Sequence, residues 1–360
     1  MEISLCMIVR NEENCLGRAL ESVQGAVDEI IVLDTGSTDR TREIARSYGA
    51  CVFDYVWQDD FAAARNAAFS YAGKPYLMWM DADDVLEAQE KEKLIALRPA
   101  LDGGIDAVMM PYACGSRPDG TPELIFDRER IVRAEAGFFF EGAVHEAMSV
   151  SGRVVREEIV IRHQGDHAER SNRRNLSIYE KWIGSEKPMA ARDWHYYARE
   201  LMVAGRYEDA EKVFSRVLEM KCYRELRLDT LLQRALCLLE TGRLGEARAL
   251  LLCALAMDTP RADVLCAMGR CDMQEGKNEA AAFWYRAARI CEPSAGTAAF
   301  VRRDDYDYVP SMQLCVLLDK MGRLREAAQE NERALIARPG DKAALSNREY
   351  FASRLGAEEA

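Results

Sequence analysis

Two stretches decide the fold of the first half of the chain: EIIVLDTGSTDRT at residues 29–41 and YLMWMDADD at residues 76–84. Each is a run of apolar residues, typical of a buried strand, that ends in acidic residues. Asp34 ends the first run, and Asp81 and Asp83 follow the second. Strand-length and helix-length patterns alternate around them, which predicts a parallel α/β sheet with helices on both faces. Because ligands bind beyond the carboxyl ends of parallel strands, we expect these acids at one binding edge.

The strands and helices around these acids follow from short apolar runs and helical spacing. Strands are predicted at residues 3–9, 30–33, 51–53 and 76–80. A helix over 38–48 would have Ser37 or Thr38 as its N-cap, and the next helix would begin at Asp59 or Asp60. Further strands, separated by Gly and Pro turns, are predicted at 106–112, 124–132 and 154–163, in a partly antiparallel part of the same domain.

The second half of the chain is helical and repetitive. Four glycines each have an alanine five residues later, in the pairs Gly205 and Ala210, Gly242 and Ala247, Gly276 and Ala281, and Gly322 and Ala327. A glycine permits a tight turn between two helices, and the alanine lets the paired helices approach closely. The glycines are 37, 34 and 46 residues apart, and Phe214, Leu251 and Tyr285 follow the first three by nine residues. This pattern resembles tetratricopeptide repeats and predicts an all-α solenoid.

Composition excludes several classes of protein. The chain has 360 residues, which suggests two domains, and a formal net charge of −12, which argues against nucleic-acid binding. None of its eleven cysteines forms a Cys-X-X-Cys pair, so a zinc ribbon is not indicated. Free thiols in apolar helical contexts favour a reducing compartment, and we expect a cytoplasmic location. No apolar run reaches the roughly 18 residues of a transmembrane helix, so no membrane span is expected.

The first half resembles glycosyltransferase family 2, whose members use nucleotide-sugar donors. Asp81-Ala82-Asp83 matches the Asp-X-Asp motif of that family. The resemblance implies a GT-A fold, which is a Rossmann-like nucleotide-diphospho-sugar transferase domain. We expect this domain over residues 1–170, a connector helix over 171–190 and the tetratricopeptide-like repeat domain over 191–360.

The same resemblance implies which residues bind the donor. Asp34 would recognise the nucleobase, because a carboxylate accepts the imide N–H of uracil, and Asp81 would reach the ribose or the metal shell. Arg65 would contact the base or a phosphate. The other positions expected at the nucleotide-sugar are Ile8, Arg10 and Ala82. Structural alternatives remain open: Asp34 as a turn residue with Gly36, and Arg65 as a solvated helix arginine.

The metal and the catalytic base are expected after the second acidic stretch. Asp83 would bind Mn²⁺ or Mg²⁺, since a hard divalent ion takes oxygen ligands and bridges phosphates. His163 is a second candidate ligand, and an ordinary strand-end histidine fits its position equally well. The sequence FFFEGAVHE ends in His145 and Glu146 and resembles a Gly-X-Val-His-Glu segment of relatives that glycosylate peptides or bacterial surface glycans. The resemblance implies Glu146 as the base, positioned by His145, with Glu141 as the alternative.

These features together predict an inverting, metal-dependent glycosyltransferase that moves a sugar from a UDP-sugar to a peptide, protein or glycan acceptor. The helical repeats would bind the acceptor or pair two subunits. A repeat-based scaffold with an inactive transferase domain is the alternative of another class, and the intact acids argue against it. A nucleotidyltransferase would need a basic, glycine-rich loop near the start of the chain, which residues 8–15 lack.

Overall fold

The computed structural model describes residues 1–117, 120–165, 168–185, 188–257, 259–292 and 301–358. Contacts between residues divide the chain into two compact units. The first comprises Met1–Gly115 and Ile125–Lys187, and the second Ser116–Leu124 and Pro188–Ala360. Because Ser116–Leu124 groups with the second unit, no single cut along the chain separates the two. The domain boundaries expected near residues 170 and 190 stay a prediction.

The first unit is built around a mixed β-sheet. Its strands are β1 (Ile3–Val9), β2 (Glu29–Asp34), β3 (Cys51–Asp54), β4 (Tyr76–Trp79), β5 (Asp84–Leu86), β6 (Ala107–Cys114), β7 (Leu124–Arg133), β8 (Phe140–Glu141), β9 (Ala147–Met148), β10 (Val154–Arg156) and β11 (Ile161–His163). The order is β3-β2-β1-β4-β7-β6-β11-β5, with β10 beside β6 and with β8 and β9 in a separate pair. Strands β1 to β4 run parallel, as predicted, and β7 joins β4 antiparallel.

Helices cover both faces of this sheet, as the alternating pattern predicts. They are α1 (Leu16–Val23), α2 (Thr41–Ser47), α3 (Phe61–Ser70), α4 (Ala88–Leu97) and α5 (Ala168–Gly184). Successive residues of a strand point to opposite faces. Leu5 of β1 therefore shares a buried cluster with Leu20 of α1, whereas its neighbour Cys6 shares another with Ala64 of α3.

The helix after β2 begins later than its sequence predicts. The N-caps proposed at Ser37 and Thr38 are wrong, because α2 starts at Thr41 and its N-cap makes no side-chain hydrogen bond. Both residues instead bind Asn11, which follows β1. The Asn11 N–H donates to Ser37 Oγ at 2.9 Å, and the Thr38 N–H donates to Asn11 Oδ1 at 2.8 Å. The start expected for α3 at Asp59 or Asp60 is within one residue of the observed one, since the helix begins at Phe61 and its N-cap Asp60 accepts from the Ala63 N–H at 2.8 Å.

The strand predicted over 154–163 is two short strands. Val154–Arg156 pairs with one end of β6, and Ile161–His163 pairs with the other end. The intervening Val160 N–H turns to the side chain of Glu90 at 2.7 Å, which takes it out of the ladder. The interruption places β11 between β6 and β5 at the edge where the acids lie.

The second unit is a series of helices joined by tight turns. They are α6 (Ala191–Val203), α7 (Tyr207–Glu219), α8 (Arg224–Glu240), α9 (Leu244–Met257), α10 (Ala262–Gln274), α11 (Asn278–Ile290), α12 (Tyr308–Lys320), α13 (Leu324–Ala337) and α14 (Lys342–Glu358). The four repeat glycines fall in the turns within successive helix pairs, with φ between 73° and 76°. A side chain disfavours that conformation, so the prediction of glycine-dependent helix turns is confirmed.

The small residues of the repeats are where close helix packing needs them. All four repeat alanines are fully buried, and Phe214, Leu251 and Tyr285 are buried with them. Their successive helices pack as neighbouring pairs, so each pair covers the apolar face of the next. Of the helices in the described parts of the chain, none has both the length and the apolar character needed to cross a bilayer.

Candidate active site at the carboxyl edge of the sheet

A cluster of two carboxylates and one imidazole lies where β4 leads into β5. Ligand atoms of Asp83, Asp84 and His163 all fall within 4.8 Å of one another. His163 Nδ1 is 3.4 Å from Asp83 Oδ1 and 3.3 Å from Asp84 Oδ1. The antiparallel register of β11 with β5 pairs His163 directly with Asp84. The structure therefore brings together Asp83 and His163, the two residues predicted as metal ligands, and adds Asp84 beside them.

The electrostatics of this cluster suit a divalent cation. Hydrogen bonds to Asp83 and Asp84 raise the pKa of His163 to about 10, although burial opposes that shift. Two carboxylates facing one imidazole thus hold a positive charge, and a metal ion bound to the ring would displace one of its protons. Carboxylate oxygens are the ligands that Mg²⁺ and Mn²⁺ prefer, and imidazole is a common additional ligand. The donor set fits the predicted cofactor.

The end of β11 packs tightly against Asp83. A Cβ atom at Gly165 would lie 2.0 Å from Asp83 Oδ2 and 3.0 Å from His163 Cε1. The Gln164 N–H donates to the backbone oxygen of Asp83 at 2.9 Å. Only a glycine leaves room for Asp83 and His163 in these positions.

Arg65 of α3 joins two acids that are far apart in sequence. Its Nη2 donates to Asp81 Oδ1 and its Nε donates to Glu146 Oε1, both at 2.6 Å. The guanidinium carbon also lies 4.5 Å from the Trp79 ring centroid and 5.6 Å from that of Phe140. Arg65 is buried, so the solvated-arginine alternative is wrong.

Arg65 helps to keep Asp81 ionised, and the ribose or metal-shell role expected of Asp81 stays a prediction. Burial acts to raise the pKa of Asp81, but Arg65 and Arg130 outweigh it and lower the pKa to about 2. Asp81 is therefore a carboxylate at neutral pH. It does not belong to the cluster of groups close enough to share a metal ion among the described residues. Ala82, between the two acids of the motif, is buried.

Glu146 lies in the segment before β9 with its carboxylate directed to Arg65. It is buried, and its backbone oxygen accepts from Arg128 Nη2 at 3.0 Å. The preceding His145 is half-buried and has a φ of +54°, a conformation that is uncommon for a residue with a side chain. The structure thus links the predicted base to the Asp-X-Asp motif through Arg65. The roles of Glu146 and His145 stay predictions, whereas Glu141 is exposed.

Asp34 is buried at the end of β2, apart from the cation cluster. Its Oδ1 accepts from the N–H groups of Gly36 and Ser37, at 3.0 and 2.9 Å, and from Arg42 Nη2 at 2.8 Å. Burial acts to raise the pKa of Asp34, but these hydrogen bonds, led by that of Arg42, bring it below its ordinary value. Its Oδ2 has no hydrogen-bond partner within the described ranges.

The Gly36 contact confirms the turn role left open for Asp34, and the nucleobase contact stays a prediction. Asp34 also lies too far from Asp83 to share a metal ion with it. β1 separates β2 from β4, which puts Asp34 two strands, or about 10 Å, from the Asp-X-Asp strand. Asp34, Asp81 and Asp83 therefore share one sheet edge without converging on a single ion.

The remaining donor-binding predictions lie at the end of β1. Ile8 is half-buried and packs against a cluster that includes Leu33 and Ala64. Arg10 is exposed directly after the strand. Their contact with a nucleotide stays a prediction.

Further residues of the site were not predicted, among them Trp79, Tyr112, Arg128 and Arg130. The guanidinium carbons of Arg128 and Arg130 lie 4.7 and 3.9 Å from the Trp79 ring centroid, and Arg130 also stacks on Tyr112 at 4.2 Å. Arg128 and Arg130 alternate on β7, so they share one face of a strand whose following residues are apolar. Two charges on one face of a buried strand were the signal available in the sequence.

Comparison with known proteins agrees with this geometry. The family model for Glycosyl transferase family 2 matches residues 4–159. The SPbeta prophage-derived glycosyltransferase SunS of Bacillus subtilis is 30% identical over 224 residues, which cover 58% of this chain and 51% of SunS. The lipopolysaccharide core biosynthesis glycosyltransferase LpsC of Rhizobium meliloti is 30% identical over 163 residues, covering 43% of this chain and 59% of LpsC.

A third relative bears on the helical half. A TPR repeat-containing protein of Synechococcus elongatus is 52% identical over 89 residues, which are 24% of this chain and 22% of that protein. The chain thus covers less than two thirds of the length of each of these three relatives. The chain carries a glycosyltransferase family 2 domain over residues 4–159, followed by helical repeats of the tetratricopeptide type.

Proposed function

We propose that this chain is an inverting, metal-dependent glycosyltransferase that uses a UDP-sugar. The proposal rests on one observation. Asp81 lies beside the cluster of Asp83 and His163, and Arg65 donates hydrogen bonds to both Asp81 and Glu146. A candidate cation site and a candidate base lie within one chain of direct contacts. The family match supports sugar transfer as the reaction class.

The residues have separate tasks in this reaction. Asp83 and His163 would hold Mn²⁺ or Mg²⁺, which when bound neutralises charge on the departing diphosphate. Asp34 would recognise the uracil imide, and Arg42 holds the carboxylate in place. Because Asp34 Oδ2 is buried, this contact requires a shift of the residues that cover it. Because Arg42 covers the other oxygen, base recognition would depend on this pair rather than on Asp34 alone.

Glu146 would remove the proton of the acceptor. Its carboxylate takes the proton as the acceptor atom forms a bond to the anomeric carbon, and the bond from that carbon to the diphosphate oxygen breaks on the opposite face. UDP leaves and the configuration at the anomeric carbon inverts. Arg65 fixes the orientation of Glu146 through a charge-assisted hydrogen bond at 2.6 Å.

The helical unit offers a place for the acceptor. A cavity of about 670 Å³ is lined mainly by residues from α6, α8, α10 and α12, which are the first helices of successive pairs. Arg199, Gln233, Arg270 and Gln313 line it together with apolar residues such as Leu236 and Val309. Such a cavity, with both polar and apolar lining residues, suits a peptide, protein or glycan acceptor. The similarity to LpsC, a lipopolysaccharide core biosynthesis glycosyltransferase, supports the glycan option. Pairing of two subunits through this unit and a cytoplasmic location stay predictions.

Donor hydrolysis tests the proposal without knowledge of the acceptor. A panel of UDP-sugars is incubated with Mn²⁺, and the released UDP is measured for the unchanged protein, for Asp83→Ala and for Glu92→Ala. Glu92 is an exposed acid on α4 and serves as the matched control. We expect hydrolysis of at least one donor, its loss in Asp83→Ala and its retention in Glu92→Ala. Hydrolysis that persists in Asp83→Ala would contradict the metal assignment, and the absence of hydrolysis with every donor would favour the scaffold.

A further inference from the structure

Asp84 differs from Asp83 because hydrogen-bonding groups occupy both of its carboxylate oxygens. Asp84 is fully buried, and its Oδ1 accepts from the Tyr112 hydroxyl at 2.8 Å and faces His163 Nδ1 at 3.3 Å. Its Oδ2 accepts from Arg130 Nη1 at 3.2 Å and from the Asp81 N–H at 3.0 Å. A carboxylate has about four lone-pair positions, so Asp84 has none left over.

The groups that hold Asp84 are themselves rigid. Arg130 is fully buried and lies between two rings, 3.9 Å from the Trp79 centroid and 4.2 Å from the Tyr112 centroid. Its Nη1 also donates to the Trp79 backbone oxygen at 3.2 Å. If Asp84 turned to a cation, it would leave the Arg130 charge in the interior with its carboxylate contact weakened, which is strongly unfavourable.

The side chain of Asp83 is less constrained by its neighbours than that of Asp84. Its side chain is about one fifth exposed, and its Oδ1 lies 3.4 Å from His163 Nδ1. Its Oδ2 faces the space that the missing side chain of Gly165 leaves open. Of the two acids, Asp83 is the one that can reorient toward an ion at little cost.

We propose that Asp84 is a positioning residue and not a metal ligand: it accepts the Nδ1–H of His163 and thereby leaves Nε2 as the ligand nitrogen. A histidine ligand commonly donates its other ring N–H to a carboxylate, which fixes the tautomer and the ring orientation. Tyr112 and Arg130 hold Asp84 in the position that does this. The inference rests on the proposed function in one respect, the binding of a cation by Asp83 and His163.

Tyr112→Phe separates this role from direct ligation. The substitution keeps the ring that stacks on Arg130 and removes only the hydroxyl that donates to Asp84. A positioning Asp84 becomes less ordered, so Mn²⁺ affinity should fall. A ligating Asp84 instead gains a free lone pair, so Mn²⁺ affinity should stay the same or rise. The direction of the change distinguishes the two roles, and the variant retains the packing of the fold.

Mn²⁺ affinity can be measured by the electron paramagnetic resonance signal of the free ion, with Mn²⁺ alone and with Mn²⁺ and UDP. We expect roughly a three- to tenfold weaker affinity in Tyr112→Phe, and about a 10- to 100-fold weaker affinity in Asp84→Asn, the range for lost outer-shell partners. Asp83→Ala should remove binding. An unchanged or tighter affinity in Tyr112→Phe would overturn the inference while leaving the proposed function intact. No binding by the unchanged protein in either condition would overturn both.

A spectroscopic measurement tests the tautomer directly. The protein is labelled with ¹⁵N-histidine, and the His163 signals are assigned by comparison with His163→Gln. On addition of diamagnetic Mg²⁺ with UDP, we expect the Nε2 resonance to shift while Nδ1 remains protonated. In Asp84→Asn, the amide N–H can face Nδ1, which places the proton on Nε2 and removes the ligand lone pair. A metal-induced shift at Nδ1 with Nε2 protonated would overturn the inference.

Discussion

Gly165→Ala should damage the candidate metal site without unfolding the protein. The added Cβ would lie 2.0 Å from Asp83 Oδ2, where an ordinary contact begins near 3.4 Å. The backbone of Gly165 is not in a left-handed conformation, so the obstacle is space alone. Asp83 Oδ2 is the far end of a side chain and can move aside, which makes the cost to folding small. Because the group that moves is the proposed metal ligand, the substitution should impair the metal site more than the fold.

The expected size of the effect follows from that displacement. Oδ2 must retreat by about 1.4 Å to reach an ordinary contact. A misplacement of about 1 Å at a reacting centre costs on the order of a hundredfold in rate. We therefore expect kcat/KM for UDP-sugar hydrolysis to fall roughly a hundredfold and Mn²⁺ affinity to weaken, with a melting temperature close to that of the unchanged protein.

Gly184→Ala is the matched control for this prediction. Gly184 ends α5, and its added Cβ would meet no atom within 4 Å. We expect this variant to hydrolyse the donor and bind Mn²⁺ like the unchanged protein. If Gly165→Ala also retained both properties, the crowding of Asp83 would be irrelevant to the reaction, and the assignment of Asp83 as the ligand would be wrong.

Three further predictions concern single residues. Glu146→Gln keeps an oxygen that can accept from Arg65 but removes the base. The kcat for transfer should therefore fall about 10²- to 10⁴-fold, with little change in the KM of the donor. An unchanged kcat would exclude Glu146 as the base. Burial raises the pKa of Asp305 to about 6, above the roughly 4 of an unfolded aspartate. The stability of the folded protein therefore falls as pH rises from about 4 to 6 and the buried carboxyl ionises. Measured by urea unfolding, Asp305→Asn should therefore stabilise the protein by roughly 2–3 kcal/mol at pH 8 and have little effect near pH 4. Equal effects at the two pH values would contradict this prediction. A Cβ at Gly269 would lie 2.8 Å from the Tyr285 ring, so Gly269→Ala should lower the free energy of unfolding by about 1–3 kcal/mol in the same assay. Gly245→Ala is the control, because a Cβ there would meet no atom within 4 Å.

Patterns with a local cause were predictable from the sequence. The repeat glycines were found because a positive φ in each helix turn demands that residue. The alanines beside them are buried for the same reason at every repeat, namely the close approach of paired helices. Asp83 and His163 were placed in one site because each follows or ends a strand at the carboxyl edge, a relation that strand order preserves.

Relations that depend on register and packing were not predictable. Arg65 meets Glu146 across 81 residues, and no local pattern joins them. Arg130 pairs with Asp84 only because β7 inserts beside β4, which the sequence does not specify. The late start of α2 depends on Asn11, whose side chain binds the residues expected to cap the helix. Charge pairs between distant strands were therefore the main omission.

Anomalous diffraction from crystals grown with Mn²⁺ and UDP tests the central claim most directly. The predicted result is one manganese peak roughly 2 Å from an oxygen of Asp83 and from a ring nitrogen of His163, with the diphosphate bridging it and uracil against Asp34. A manganese ion bound to the diphosphate but remote from Asp83 and His163 would contradict the proposed site. UDP bound away from the carboxyl edge of the sheet would contradict the proposed function as well.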